Sequence, residues 1–231
     1  MSVDVTLPDG SVKTFDNPVS GFDIAKSIGS RLAKDAICLE IDNVFYDLSA
    51  IFVSDISVRI VTNSDPDALQ ILRHSSAHIL AQAVLNLHPS AKYGVGPSIE
   101  NGFYYDFLFK DPLKESDLIE IEKEMIKITE SGQEFTKSEI SKKDAKKLFK
   151  NQSFKIELIE SAETDEGVSE EVVTMYSNDK FSDLCKGPHI PNTKYLKHFK
   201  LTKLGGAYCR GDEDNPQLQR IYGTSWFTKK D

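Results

Sequence analysis

A run of five polar and proline residues at positions 63–67 divides the sequence into two differently patterned parts. Proline lacks a backbone donor, and Asn, Ser and Asp favour turns, so such a run ends a regular element. A chain of 231 residues is long enough for two compact cores. We therefore predict a domain over residues 1–62, a linker over 63–67, a second domain over 68–227 and the start of another linker over 228–231.

The first domain opens with strand signals followed by a helix signal. Apolar alternation over residues 3–7, a turn at 8–10 and a mixed strand at 12–15 predict a β-hairpin. A serine cap at Ser20 and apolar residues every four positions up to Leu32 predict one amphipathic helix.

Further strands are predicted over residues 37–41, 43–46 and 57–61. Two strands, one helix and then more strands within a short domain are typical of a β-grasp fold, in which one helix covers one face of a sheet. The fold class predicted for the whole chain is α+β.

The second domain begins with a long helix over residues 69–87, where small and apolar residues recur at helical spacing. The Asn-Gly pair at 101–102 predicts a hairpin, and alternating aromatic residues then share one face of its second strand. Helices are also predicted over 116–130 and over 141–150, where a capping box begins the helix, and strands from residue 172 onward. We therefore expect a mainly antiparallel sheet packed with a long helix.

The net charge of -8 argues against a protein that coats nucleic acid indiscriminately. Two basic stretches run against this balance: residues 137–155 hold seven lysines and two acids, and residues 194–210 hold five basic residues and no acid. They could steer one polyanion to one face, or they could be solvated surface charge. Residues 1–62 hold five basic residues and nine acids, which argues against phosphate binding by that domain alone.

The three cysteines are too few, and odd in number, for a disulfide framework, so each thiol needs its own explanation. Cys38 lies in an apolar run and is predicted to be part of the core. The sequence has no long uncharged apolar run and no amino-terminal signal pattern. We therefore expect cytoplasmic residence and no membrane partner.

His74 and His78 are four residues apart on the predicted long helix, so both imidazoles project from one face. The segment from Asp183 through Cys185 to His189 adds a carboxylate, a thiol and another imidazole around a Gly-Pro turn. Three histidines and one cysteine would satisfy a tetrahedral zinc site. Without metal the same groups would form a hydrogen-bonding pocket that activates water and polarises an ester carbonyl, or they would be a satisfied buried polar cluster.

Lys155 and Tyr105 are further candidates for the same pocket. Lys155 supplies a charge that could hold a carbonyl or a water, and it would otherwise be a surface residue. Its segment, residues 154–160, fits either a helix or a strand. Tyr105 supplies a phenol and would otherwise be a core aromatic residue.

Four short segments carry a family resemblance: residues 73–78 (RHSSAH), 101–106 (NGFYYD), 185–189 (CKGPH) and 220–224 (RIYGT). Together they resemble the amino-terminal region of bacterial-type threonyl-tRNA synthetases, and the resemblance covers the whole chain. It implies a TGS domain, which is a β-grasp module, followed by an editing domain shared with alanyl-tRNA editing proteins.

The resemblance implies hydrolysis of the ester of mischarged seryl-tRNA(Thr), in which serine is attached to the 3′-terminal adenosine. Serine lacks one methyl group of threonine, and that difference is worth only about 1–3 kcal/mol in a binding pocket, so a second, smaller pocket is needed. The parent enzyme would attach threonine to its tRNA using ATP. The alternatives are a freestanding aminoacyl-tRNA deacylase of the alanyl editing type and an inactive tRNA-binding module.

The resemblance also assigns residues to the editing pocket. They are His74, His78, Lys155, Asp183, Cys185 and His189, with Tyr105 lining the pocket. In this assignment Asp183 and Lys155 position and activate the water. His74 and Cys185 hold the ribose and the seryl group.

Alanyl editing relatives hold zinc with a His-x3-His and Cys-x3-His set like that of His74, His78, Cys185 and His189. Threonyl editing domains that resemble this one work without metal, so we expect no cofactor for editing, with zinc at those residues as the alternative. ATP, magnesium, another zinc and homodimer contacts are implied only for an aminoacylation core beyond residue 231. The chain is then either the front of a longer synthetase or a freestanding editing factor.

It departs from its relatives at Cys209, where they often carry an aromatic residue.

Overall fold

The computed structural model describes residues 2–161, 171–208 and 217–229. Contacts between Cα atoms divide the chain into two compact units. The first comprises Met1–Ile71 and Gly187–Pro191, and the second comprises Leu72–Lys186 and Asn192–Asp231.

The first unit is built from short strands and two short helices. Its strands are β1 (Val3–Thr6), β2 (Val12–Phe15), β3 (Val19–Ser20), β4 (Ala36–Ile41), β5 (Val44–Asp47), β6 (Ile51–Phe52), β7 (Ile56–Ser57) and β8 (Arg59–Thr62). Its helices are α1 (Gly21–Ile28) and α2 (Ser30–Asp35). The strands pair in the orders β2-β1-β7, β3-β6 and β5-β4-β8, and only the β1–β7 pair among these is parallel. This arrangement confirms the predicted hairpin and the mixed fold class.

The core of the first unit lies between α1 and the strands. Val5, Ile24 and Leu39 are fully buried there and pack in one hydrophobic cluster. Burying side chains of this size stabilises a domain by about 1.5–3 kcal/mol each. The apolar residues that alternate along this first strand, Val3 and Val5, are therefore the ones that face the core.

The prediction of one helix up to Leu32 is wrong, because the structure has two helices. Ser20 caps α1 as predicted, accepting a hydrogen bond from the backbone of Asp23, whose carboxylate accepts one in return. Gly29 then has an extended backbone, with φ 170° and ψ 150°, and interrupts the helix. Glycine is about 1 kcal/mol less favourable than alanine inside a helix, so an interruption is least costly at this position. Leu32 lies half-buried on the second helix.

The second unit combines helices with antiparallel strands. The elements from the long helix onward are α3 (Pro66–Leu87), β9 (Lys92–Tyr93), β10 (Ser98–Ile99), β11 (Gly102–Leu108), α4 (Leu118–Ser131), β12 (Thr136–Ser141), α5 (Lys142–Leu148), α6 (Ser153–Ser161), β13 (Val172–Asn178), β14 (Phe181–Leu184), β15 (His198–Tyr208) and β16 (Gln217–Trp226). Helix α3 begins inside the segment predicted as a linker, and its residues up to Ile71 are grouped with the first unit. None of the helices within the described residues is both long and apolar enough to span a membrane.

Two antiparallel sheets position the functional side chains of the second unit. One has the strand order β10-β11-β16-β15, with β9 also paired to β11, and the other has the order β12-β13-β14. In the predicted hairpin, Ile99 lies opposite Gly102, so Glu100 and Asn101 form the turn. Three aromatic side chains of β11 are buried on one face, as predicted: Phe103, Tyr105 and Phe107.

Helices α4 and α5 confirm the helices predicted over residues 116–130 and 141–150, with bounds that differ from the predicted ones by one or two residues. Residues 154–160, which fitted either a helix or a strand, belong to α6. Ser141 caps α5 by accepting the amide of Asp144, but the hydroxyl of Ser141 rather than its amide donates to the Asp144 carboxylate. Only one half of the predicted capping box therefore forms.

Candidate functional site

Helix α3 presents His74 and His78 on one face, one turn apart. Their ring centroids are 5.0 Å apart and the ring planes meet at 70°. Ser76, between them in sequence, is buried; its hydroxyl donates to the carbonyl of Leu72 and accepts from the hydroxyl of Ser225 on β16, 2.9 Å away. The helix that carries the histidine pair is thereby held against the sheet.

Cys185 follows β14 and reaches the histidine pair from the other side. Its backbone amide donates to the carbonyl of Thr174 at 3.1 Å, which continues the pairing of β14 with β13. His74 Nε2 lies 2.9 Å from Cys185 Sγ, within hydrogen-bonding distance. The sequence prediction that a helical histidine and this thiol converge is confirmed by that distance.

Lys155, Asp183 and Tyr105 form a buried polar network beside them. Lys155 Nζ makes an ion pair with the Asp183 carboxylate, the Tyr105 hydroxyl donates to Asp183 Oδ2, and Lys155 Nζ donates to the Tyr105 hydroxyl at 3.2 Å. The three residues are at most 2% exposed. Lysine and aspartate are almost never buried to this degree unless they are paired.

His78 links the network to the thiol side of the site. Its Nε2 lies 4.0 Å from Asp183 Oδ2, and its ring stands edge-on to that of His74. Phe135 and Phe181 enclose it, with ring centroids 6.5 Å and 6.0 Å from that of the imidazole. His74, His78 and Cys185 bring their potential ligand atoms to within 4.8 Å of one another.

Burial sets the charges of these groups. It lowers the pKa of His74 to about 4, and a backbone hydrogen bond with Gly96 acts in the opposite direction. Burial lowers the pKa of His78 as well, and the neighbouring His74 and Lys155 lower it further. Burial raises the pKa of Asp183, an effect that Lys155 and Tyr105 oppose. At neutral pH both imidazoles are therefore uncharged and can each donate and accept one hydrogen bond.

Tyr93 is a site residue that sequence reasoning missed. Lys155 Nζ lies 4.9 Å from the centroid of its ring, and its hydroxyl donates to the carbonyl of Ser182 at 2.9 Å. The ring thus adds a cation–π contact to the ion pair that Lys155 makes with Asp183. The only sequence signal was its position just ahead of the glycine pair at 94 and 96.

Gly96 is a second missed residue, and it matters because it has no side chain. A Cβ atom at this position would lie 2.1 Å from Cδ2 of Tyr105. The glycine therefore lets the Tyr105 ring lie close to the backbone, with its hydroxyl directed to Asp183. Its backbone also hydrogen-bonds to His74.

The second unit by itself thus brings together six of the predicted residues: His74, His78, Tyr105, Lys155, Asp183 and Cys185. His189 is buried and belongs to the segment Gly187–Pro191, which groups with the first unit. Its backbone amide donates to Asp47 Oδ1 at 2.9 Å. Its role in the pocket stays a prediction, and Cys209, the predicted departure from the family, lies outside the described residues.

Two protein families match separate parts of the chain. Residues 3–62 match the TGS domain family, and residues 172–222 match the family described as the threonyl and alanyl tRNA synthetase second additional domain. The second match contains Asp183 and Cys185. The helix with the histidine pair precedes it.

Curated relatives match nearly the whole chain. The threonine–tRNA ligase of Hahella chejuensis is 46% identical over 229 residues, which cover 98% of this chain and 35% of the relative. The threonine–tRNA ligase of Francisella tularensis subsp. novicida is 46% identical over 231 residues, which cover 99% of this chain and 36% of the relative. That of Halorhodospira halophila is 45% identical over 228 residues, covering 98% of this chain and 35% of the relative.

This chain spans about a third of the length of the curated relatives that it matches, since it covers 35% and 36% of the first two. The TGS match covers the strands and helices from β1 to β8, and the second match covers β13 to β15 and most of β16. The resemblance seen in the four sequence motifs is therefore confirmed. The chain corresponds to the amino-terminal region of threonine–tRNA ligases, in which a TGS domain of β-grasp fold is followed by the second additional domain of threonyl and alanyl tRNA synthetases.

Proposed function

We propose that this chain hydrolyses the ester bond of tRNA(Thr) that carries serine on its 3′-terminal adenosine. One observation carries the proposal: a buried Lys155–Asp183–Tyr105 network lies beside an uncharged histidine and a thiol. Perturbed, mutually bonded groups of this kind cluster at reactive sites. The match to the second additional domain supports the assignment of that chemistry to an aminoacyl-tRNA.

The substrate approaches from the side of His74, which alone keeps partial exposure among the six residues. The backbone of Gly96 and the thiol of Cys185 already hydrogen-bond to this imidazole, so a substrate hydroxyl binds at Nε2 by taking the place of the thiol. Cys185 lies against the same imidazole, so the two residues bind the ribose and the seryl group together.

In the reaction, the oxygen of a water molecule attacks the ester carbonyl carbon, and the bond from that carbon to the ribose oxygen breaks. Asp183 accepts a proton from the water, because burial raises its pKa and makes it a stronger base than an ordinary carboxylate. The ammonium group of Lys155 stabilises the negative oxygen of the tetrahedral intermediate. The proton then passes to the departing ribose oxygen, leaving free serine and a tRNA with a free terminal hydroxyl.

The site selects serine over threonine by excluding the one methyl group that threonine has and serine lacks. An aminoacylation site that binds threonine favours it over serine by only about 1–3 kcal/mol, so serine is often attached by mistake. A hydrolytic site that admits serine and collides with the methyl group of threonine corrects those errors. His74 and Cys185, which hold the seryl group in this proposal, are the residues against which the methyl group would collide.

The donor types at His74, His78 and Cys185 suit zinc, which binds histidine nitrogen and cysteine sulfur. Their spacing suits it less well. Nitrogen and sulfur ligands of a tetrahedral zinc lie about 3.5 Å apart, whereas His74 Nε2 and Cys185 Sγ are 2.9 Å apart. The two side chains already contact each other, and Asp183 and Lys155 activate the water in this mechanism, so we propose hydrolysis without a metal. A zinc bound here would supply Lewis-acid polarisation of the carbonyl, and these side chains would have to move apart to hold it.

A deacylation assay tests the proposal. The purified chain is incubated with tRNA charged with serine, with alanine or with threonine, and the remaining ester is measured over time. We expect loss of serine and retention of threonine. Preferential loss of alanine would instead indicate a deacylase of the alanyl editing type, and three intact esters would indicate a tRNA-binding module and refute the proposal.

Other activities belong, in this proposal, to the two thirds of the relatives that this chain does not cover. They include ATP-dependent attachment of threonine to tRNA, the binding of magnesium and another zinc, and homodimer contacts. This chain alone is not expected to charge tRNA. Its work in protein synthesis takes place in the cytoplasm.

A further inference from the structure

A cluster of two tyrosines and two cations lies on the sheet formed by β11, β16 and β15, apart from the proposed hydrolytic site. Tyr104 and Tyr222 are cross-strand partners whose ring centroids are 5.8 Å apart. The guanidinium carbon of Arg220 lies 3.7 Å from the centroid of the Tyr104 ring. Lys203 Nζ lies 4.8 Å from the centroid of the Tyr222 ring. We call these four residues the Tyr-cation face.

The alternation of the strands directs this face away from the buried side of the sheet. On β16, Ile221 and Gly223 are buried whereas Arg220 and Tyr222 are half-exposed. On β11, half-exposed Tyr104 lies between buried neighbours, and Lys203 on β15 is exposed. The Tyr-cation face is therefore accessible to a ligand, while the opposite side of the sheet carries Tyr105 and the hydrolytic network.

The face is held in place before any ligand binds. Arg220 donates two hydrogen bonds to the carboxylate of Asp106, at 2.7 Å and 2.8 Å, and this pairing fixes the plane of the guanidinium against Tyr104. Gly205 on β15 provides space for the second ring, because a Cβ atom there would lie 3.1 Å from Cε2 of Tyr222. Rings and guanidinium groups fixed in this way lose little entropy on binding.

Charge favours a polyanion at this face. Strand β15 carries two lysines, of which Lys200 is paired with Glu122 at 2.7 Å and Lys203 contributes a cation to the face. The pairing of Arg220 with Asp106 neutralises its charge but leaves a planar group available for stacking. Lys203 is exposed beside the rings. Flat aromatic and guanidinium surfaces with a nearby lysine are the combination that binds unpaired nucleotides.

We propose that the Tyr-cation face binds an unpaired RNA strand, with a base stacked on Tyr222 and a phosphate beside Lys203. The proposal rests on the proposed function in one respect, that the substrate is a tRNA. It adds a second RNA contact, on the opposite side of the sheet from the hydrolytic residues. Stacking of this kind tolerates any base, so the site is selective for unpaired RNA rather than for a sequence.

The test measures binding of a fluorescently labelled, unstructured RNA of about 12 nucleotides by anisotropy, with an unlabelled RNA duplex of equal length as competitor. We expect Tyr222→Leu to weaken binding by about tenfold and Tyr222→Phe, which keeps the ring, to retain it. Lys203→Gln should reduce the slope of log affinity against log salt by about 0.7. Tyr46→Leu is the matched control, because this tyrosine is 38% exposed on the first unit and should not affect binding.

Three results would overturn the proposal: no binding, binding that Tyr222→Leu leaves unchanged, or displacement by the duplex as efficient as by the single strand. Should Tyr222→Leu fail to fold in a thermal unfolding control, the salt slope of Lys203→Gln decides, and an unchanged slope contradicts the proposal. The RNA carries no amino acid, so the result is independent of hydrolysis. A chain that binds this RNA through Tyr222 but hydrolyses no ester would refute the proposed function only.

Discussion

His74 Nε2 and Cys185 Sγ lie 2.9 Å apart although 111 positions of sequence separate them. The contact joins helix α3 to the segment that follows β14. Which of the two atoms carries the proton depends on the tautomer of the imidazole. Both residues therefore act as one hydrogen-bonded unit, and the loss of either one changes the other.

We expect Cys185→Ala to reduce the rate of seryl-tRNA hydrolysis about a hundredfold, a size typical of a lost positioning or proton-transfer group. His74→Ala should do the same, and the double variant should lose little more, because the residues act as a unit. Rates are measured with excess enzyme in a single turnover. The matched control is Cys38→Ala in the first unit, where burial raises the thiol pKa to about 12 and the thiol is unreactive. Hydrolysis at the wild-type rate by Cys185→Ala would remove this residue from the site.

Removal of one partner of the buried ion pair should destabilise the protein. We expect Lys155→Met to lower the free energy of unfolding by about 3 kcal/mol, because it leaves the Asp183 carboxylate buried without its cation. The double variant Lys155→Met/Asp183→Leu should regain most of this loss, because no charge is then left uncompensated. Urea unfolding followed by circular dichroism measures both values. A double variant less stable than Lys155→Met would contradict the explanation.

The pH dependence of stability should carry the signature of His74. Its pKa is about 4 in the folded chain and 6.5 for an ordinary histidine, so the unfolded chain binds a proton that the folded chain does not. Above pH 6.5 neither state binds this proton and the free energy of unfolding keeps its full value. As the pH falls from 6.5 toward 4, protonation favours the unfolded chain and the free energy of unfolding decreases. His78 shifts in the same direction and Asp183 in the opposite one.

Comparison with His74→Gln isolates the contribution of His74. Between pH 6.5 and 4 the free energy of unfolding should fall more steeply in the wild type than in this variant. Above that window the two curves should run parallel. Chemical denaturation at a series of pH values provides both curves, and parallel curves throughout would mean that His74 titrates normally.

Gly96→Ala should disturb the site although it adds only one methyl group. The new Cβ would overlap the Tyr105 ring, so the ring must move and its hydrogen bond to Asp183 must weaken. We expect a loss of about 2 kcal/mol in stability together with slower hydrolysis. Gly29→Ala serves as the control, since nothing lies within 4 Å of its Cβ and its backbone is extended. Equal behaviour of the two variants would rule out the packing argument.

Metal analysis should find far less than one zinc per chain. The 2.9 Å separation of His74 and Cys185 suits a hydrogen bond, and hydrolysis in the proposed mechanism needs no metal. Treatment with a chelator should therefore leave the rate of seryl-tRNA hydrolysis unchanged. Plasma emission spectrometry measures the zinc content. One tightly bound zinc per chain, with activity lost on its removal, would refute the metal-free mechanism.

Sequence patterns were sufficient to predict the local elements and the residues that can share a face. Spacing of four on a helix places His74 and His78 together, because the helical repeat is 3.6 residues. Alternation along a strand places Asp183 and Cys185 on one side, and both indeed contact the same cluster. These outcomes depend on backbone geometry within a few residues.

Sequence reasoning failed where two local preferences compete. The four-residue spacing around Gly29 favours one continuous helix, whereas glycine favours an interruption, and the interruption occurs. The gain from burying one side of a longer helix would be small here, because Ile28 remains 36% exposed. The cost of a helical glycine therefore decides the outcome.

The burial of Lys155 in the site depends on contacts between segments that are distant in sequence. A lysine within a basic stretch is usually exposed, and its local sequence indicates nothing else. It is buried because Asp183 and the rings of Tyr93 and Tyr105 surround its ammonium group. These partners come from β14, β9 and β11, and their contacts stabilise the charge only after distant strands have packed. Interactions over such sequence distances leave no periodic signal, so the pairing of these residues is a property of the folded chain.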